Sequence, residues 1–213
     1  MFAAKDLLLS GAKPAVALDF AGAGTSGTAT SLTAAHTAAI NAWLIVPVTV
    51  FGSTTVSGVT FGGNAMTSMG SVANENNQAS YGILYLFKYL NTSLSGSQNI
   101  VATFSGSQAG NIASTSWKNV TTVGAIQTTF GGTNTALSQS ATSGVNGRVV
   151  QAFSAYGLGT SVSSYNQTLR TSNASGTTLD LLLGDAAGTG SSISFTATAS
   201  AGVAWAGAAT SLT

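Results

Sequence analysis

Apolar residues in this chain never hold a helical period for as much as three turns. They come in short runs that alternate with Ser and Thr and are punctuated by Gly and Asn. Ile193, Phe195 and Ala197 alternate with polar neighbours, as do Val149 and Phe153 around Gln151. Thr, Val and Ser crowd the positions where a helix would want Leu, Glu or Lys. Parallel strands need crossover helices, so strands without helices must pair antiparallel. The expectation is an all-β chain: an antiparallel β-sandwich, jelly-roll-like, with a short N-terminal arm.

Strands are expected over 14–20, 39–51, 81–90, 99–104, 114–128, 148–156, 165–171, 178–183, 192–199 and 203–209. Val56 to Thr67 reads as a hairpin around Gly62-Gly63, a pair suited to positive φ. Pro47 interrupts an otherwise continuous apolar strand and predicts a bulge or an edge. In 81–90, Tyr81, Tyr85, Phe87 and Tyr89 share one face and Leu84, Leu86 and Leu90 the other, so both faces are expected to be covered. Residues 22–30, rich in Gly, Thr and Ser, read as a flexible connector. The expected division is 1–34 for the arm, first strand and connector, and 35–213 for the sandwich.

Such a chain can bury a core. Only 5% of its residues are charged, but 44% are apolar and mean hydropathy is +0.34, which excludes the composition of a disordered polypeptide. With a net charge of +1 and scattered cations, it offers no basic stripe, so no nucleic-acid partner is expected. Without Cys there is neither a disulfide nor a thiolate nucleophile nor a Cys-based zinc site. The run Leu7-Leu8-Leu9 is too short for a signal-peptide core, and the run from Trp43 to Val48 falls far short of the roughly 20 residues that span a bilayer. No membrane insertion is expected, and the chain reads as soluble before assembly.

Material for catalysis is thin. His36 is the single imidazole, so a Ser-His-Asp hydrolase would need it, Asp19 as orienter and one of 29 serines, none of them in a Gly-x-Ser-x-Gly elbow. The expectation is an exposed or loop histidine. Asp180 and Asp185 are the nearest pair of acids; Asp185 reads as a turn residue, and no Asp-x-Asp spacing suggests calcium. Gly22-x-Gly24-x-x-Gly27 matches a dinucleotide fingerprint in letters, but no helix or acidic partner follows. Asn91, Asn119, Asn166 and Asn173 stand in glycosylation-type triplets of a kind that a chain so rich in Ser and Thr produces by chance. Trp43, Trp117 and Trp205 lie in alternating strands and are expected in the core. No catalytic, cofactor or metal site is expected.

The informative feature is the surface. Fifty-nine Ser and Thr take the place of Lys and Glu. Short neutral side chains lose little rotamer entropy when packed and carry no charge to desolvate, which suits close packing against other subunits. Leu7, Leu8 and Leu9, followed by Val16, Leu18 and Phe20, are the expected assembly contacts of the arm.

The stretches Val56-Ser-Gly-Val-Thr-Phe-Gly-Gly-Asn-Ala-Met-Thr67, Gly82-Ile-Leu-Tyr-Leu-Phe-Lys-Tyr-Leu90 and Asn99-Ile-Val-Ala-Thr-Phe104 resemble β-sandwich modules of virion proteins in tailed phages of actinobacteria. So does the ending from Gly184 to Ser200 with Val203-Ala-Trp205. The resemblance spans roughly residues 40–210 and carries no catalytic residue. It implies a structural protein of the phage particle: a minor tail protein of the tail tip, with a head decoration protein as the close variant. The implied partners are other virion proteins, copies of itself in a symmetric homo-oligomer, and a host cell-surface glycan. The alternative class is a carbohydrate-binding or glycan-processing sandwich.

Overall fold

The computed structural model describes residues 13–157, 161–174 and 179–213. Its first half holds β1 (Ala17–Ala21), β2 (Thr25–Thr37), β3 (Trp43–Val50), β4 (Val56–Phe61), β5 (Asn64–Ala65), β6 (Thr67–Ala73), β7 (Ile83–Leu90), β8 (Ser97–Ile112) and β9 (Thr115–Lys118). The second half holds β10 (Gln127–Thr142), β11 (Arg148–Tyr156), β12 (Val162–Ser163), β13 (Thr168–Ala174), β14 (Leu179–Ala187) and β15 (Ser192–Leu212). Helix is confined among the described residues to α1 (Asn74–Asn77) and a 3-10 turn at Ala79–Tyr81. Strands β1–β9 form one antiparallel sheet and β10–β15 another, and the two pack face to face as a β-sandwich.

The central strands of the two sheets repeat one another: β2 matches β10, β3 matches β11, β6 matches β13, β7 matches β14, and β8 with β9 matches the single strand β15, while β1 and β5 have no counterpart. Trp43 at the start of β3 lies between Leu90 and Trp117, and Arg148 at the start of β11 lies between Ala187 and Leu212. Leu32 pairs with Ala102, and Leu137 with Ala197. Even the irregularities recur: β6 slips against β7 between Ser68 and Gly70, and β13 slips against β14 between Leu169 and Thr171. The shift that carries Leu32 to Leu137 also carries Asn41 to Asn146, and both asparagines take positive φ, 67° and 64°, in matching turns.

Each sheet folds over on itself and closes around a core of its own. In the first, Leu44, Val46 and Val48 of β3 meet Leu32, Phe61 and Ile100 of the covering strands. In the second, Val149 and Phe153 meet Leu137, Phe195 and Ala197. The third core is the seam between the sheets, and equivalent residues supply it from both sides: Ile45 and Val150, Leu84 and Leu181, Leu86 and Leu183, Trp117 and Leu212. A contact surface met by its own counterpart is isologous, the arrangement of a two-fold dimer, here inside one chain.

Several expectations meet the structure directly. β11 keeps its expected bounds, and Gly62 and Gly63 turn the hairpin with φ of 55° and 82°. β7 is covered on both faces, Leu84 and Leu86 in the seam and Phe87 in the first sheet's core. Pro47 sits at a break: the ladder beside β3 passes from β8 to β9 there, with Ala113 N–H donating to Pro47 O. Its counterpart Ala152 has an N–H, and β15 runs past it unbroken.

The flexible connector is a correction. Thr25–Thr37 is strand β2, paired along its length with β8, so the division expected at 34/35 falls inside a strand. Ser26, Thr28, Thr30, Ser31, Thr33 and Thr37 are exposed, and the alternate residues Leu32, Ala34 and His36 face in. The residues expected as two strands, 192–199 and 203–209, belong to the single strand β15.

Candidate functional site

Of the expected assembly contacts, Leu7, Leu8 and Leu9 lie outside the described residues. Val16 and Leu18 pack within the chain's own seam, where β1 pairs with β9 and Leu18 lies opposite Trp117. Val16 is buried there and Leu18 half-buried. Phe20 alone stays exposed, at 39%. It borders a shallow groove with Asp19, Ala38, Ala39, Ile40 and Leu94.

Beneath this groove the chain gathers Asp19, His36 and Ser114. His36 is a second correction: it points inward from β2, is 1% exposed, and shares a 2.8 Å hydrogen bond between Nδ1 and Ser114 Oγ. Burial lowers its pKa to about 4, against a weaker opposing pull from Asp19. The Asp19 carboxylate is engaged elsewhere. It accepts from Ala39 N–H at 2.8 Å and Ser116 Oγ at 2.9 Å and pairs with Lys118 Nζ at 2.8 Å. Burial opposes its charge, but these partners outweigh it and hold the pKa below 3.8. Ser114 is fully buried, with the Gly22 backbone so close that a Cβ there would lie 2.4 Å from its hydroxyl. The trio ties β1 and β2 to the segment from Ser114 to Lys118, with His36 and Ser114 buried and Asp19 on the edge of the groove.

Asp185 is a third correction, since it lies within β14 rather than in a turn. Fully buried, it lies between Arg148, with Nε 3.1 Å from Oδ2, and Arg170, whose Nε donates to Oδ1. Arg148 also lies over the Trp117 ring at 5.6 Å. Nearby, Tyr165 donates to Gln151 Oε1 at 2.8 Å, and burial, reinforced by the Asp185 charge, pushes its pKa up. Asp180 is separated from Asp185 by an odd number of positions along β14, so it projects from the opposite face and the two form no carboxylate pair. Burial raises Asp180 to about 6. Among the described residues no cluster of His, Asp and Glu could hold a metal ion, and no helix is long and apolar enough to cross a membrane.

Trp117 and Trp205 are core residues, as expected, while Trp43 is half-buried beside Lys88. The outward faces of the folded-over sheets are of another kind. β2, β8, β10 and β15 contain no Asp, Glu, Lys or Arg. Ser31 faces Thr103 across one outer ladder, and Ser138 faces Thr196 and Ser140 faces Ser194 across the other. The matching turns end in equivalent exposed aliphatic residues, Ile40 at 52% and Val145 at 71%. Comparison with family models, with curated proteins and with solved structures returns no match.

A feature unmarked in the sequence lies at the end of the seam where β3 and β11 finish. Phe51, Tyr81 and Tyr156 form one aromatic group there, beside Glu75. A motif search misses it because its members are far apart in the chain; the repeat was the available signal, since Phe51 and Tyr156 occupy the same position in it.

Proposed function

We propose that this chain is a non-enzymatic structural protein of a phage virion, a minor tail protein of the tail tip that packs into a symmetric assembly and contributes to host-surface adsorption. The observation that carries this reading is the pair of charge-free outer faces, presented twice by the internal repeat. Burying such a face against a neighbour strips water from no ion and freezes no long side chain. Isolated charged residues would raise that cost, and none stands on the four strands that build most of these faces. The resemblance of 56–67, 82–90, 99–104 and 184–205 to sandwich modules of phage particles points the same way.

Purified particles probed with a gold-labelled antibody against the chain test the reading. Label at the tail tip is the expected result. Label on the head would assign the decoration role instead, and particles that lack the chain would overturn the proposal.

A further inference from the structure

Where β3 and β11 end, the two halves jointly build an open groove. Glu75 and Tyr81 come from the first half, Thr133, Tyr156, Gly157 and Gly202 from the second. Tyr156 is fixed from two sides, stacked on Phe51 with centroids 5.2 Å apart and against Tyr81 at 5.5 Å. The segment bearing Glu75 and Tyr81 is pinned by the fully buried Asn74, whose Nδ2 donates to Tyr81 O at 3.0 Å and to Ser154 Oγ at 3.3 Å. Glu75 itself holds φ at +40°, a conformation that a non-glycine residue keeps only where its surroundings impose it. Thr133 Oγ1 donates to Glu75 Oε1 at 3.3 Å, while Oε2 has no hydrogen-bond partner among the described residues.

We infer that this groove binds a neutral pyranose sugar. A pyranose ring has an apolar C–H face that lies against an aromatic ring and an equatorial rim of hydroxyls that need acceptors. Tyr81 and Tyr156 supply the ring surface, and the Glu75 carboxylate supplies a charged acceptor for hydroxyl donors, the stronger kind of hydrogen bond. Gly157 and Gly202 line the wall with no side chain, which lets a ring approach the backbone. The charge of the lining selects among sugars: among the described residues that line the groove Glu75 is the one carboxylate and none is a cation, so sialic and uronic acids are disfavoured. A quaternary ammonium would also meet aromatic rings and a carboxylate. Here, however, Phe51 and Tyr156 are closed on one another at an interplanar angle of 22° rather than opened around a cation.

This inference gives the adsorption part of the reading above a ligand and a place, and it rests on that reading only for the source of the sugar. The test uses the full chain and saturation-transfer NMR with the methyl pyranosides of glucose, galactose and mannose, and with N-acetylneuraminic acid and choline chloride as contrasts. Transfer to ring C–H protons of at least one neutral glycoside is expected. It should fall at least tenfold in Glu75→Gln and in Tyr81→Ala, with the fold of each variant checked by its amide spectrum. No transfer to any neutral glycoside, transfer unchanged in both variants, or binding of choline or the sialic acid alone would overturn it. Sugar binding by a chain missing from particles would sink the virion reading and leave the groove standing; a tail-tip chain blind to all three glycosides would do the reverse.

Discussion

Phe51 and Tyr156 stack on each other, and each is the other's counterpart in the internal repeat. A residue that touches its own equivalent lies on the approximate two-fold axis. The axis therefore runs along β3 and β11, through this stack at one end and past Trp117 and Leu212 at the other. The seam, rather than either sheet alone, sets how the molecule should respond to mutation.

Leu84→Ala and Leu181→Ala remove equivalent, fully buried side chains from the two sides of the seam. Each should cost roughly 2–5 kcal/mol, the range for a leucine deleted from a packed core. Because the seam joins the halves, urea unfolding should stay a single transition, coincident by tryptophan fluorescence and circular dichroism. Two separated transitions would mean that the halves fold independently.

The pH profile should carry opposing contributions. Burial lowers His36 from 6.5 to about 4, so the unfolded chain takes up a proton between those values that the native state refuses. Its contribution is complete above pH 6.5, is lost as pH falls toward 4 and amounts to about 3 kcal/mol at most. Asp180, raised by burial from 3.8 to about 6, acts with the other sign and destabilises as pH rises through that interval. Denaturation midpoints taken from pH 7 to 4 should fall less in His36→Gln than in the parent chain, and more steeply in Asp180→Asn. Parallel profiles would contradict both assignments.

Asp185→Asn leaves Arg148 and Arg170 facing each other without the carboxylate between them. Loss of a partner from a buried pair costs about 3–5 kcal/mol, and the partial exposure of both arginines should reduce this to about 2–3 kcal/mol. Equilibrium unfolding in urea reads the difference, and raising the salt concentration should recover little of it.

Gly131 lies under the indole of Trp205, where a Cβ would come within 2.3 Å of Nε1. Gly131→Ala should displace that ring, weaken the 3.2 Å hydrogen bond from Nε1 to Asn134 Oδ1 and cost about 1–3 kcal/mol. A shift in tryptophan emission together with a lower unfolding midpoint is the expected pair of signals.

Thr33 and Ser138 are equivalent exposed positions on the two outer faces. Lysine at either should change stability by no more than about 0.5 kcal/mol, as surface substitutions do. If the outer faces are packing surfaces, the same variants should fail to enter particles when they compete with the parent chain, as mass spectrometry of purified particles would read.

The fold was legible wherever burial writes alternation into the chain. β11, the Gly62-Gly63 hairpin and the two-sided burial of β7 all follow from local pattern. β2 was not, because half its residues are Ser, Thr and Gly facing water, and only its pairing with β8 makes it a strand. His36 and Asp185 were misplaced for a related reason: each is polar, and what admits it to the interior is a partner distant in sequence, Ser114 in one case and two arginines in the other. The repeat is faint in the letters because equivalent positions have exchanged chemistry, Trp43 for Arg148 and Lys88 for Asp185. Strand register kept what side chains lost.

Residues 119–126 connect the halves, and Val120, Val123 and Ile126 among them pack against the seam. Joining two self-complementary units by so short a segment turns a bimolecular association into an intramolecular one. The effective concentration of each half at the other is then set by the linker, on the order of millimolar or above for short tethers. A two-fold contact between separate chains would loosen on dilution. This one stays closed at any abundance, so a cell can make the protein in few copies and still obtain every copy as a finished pair.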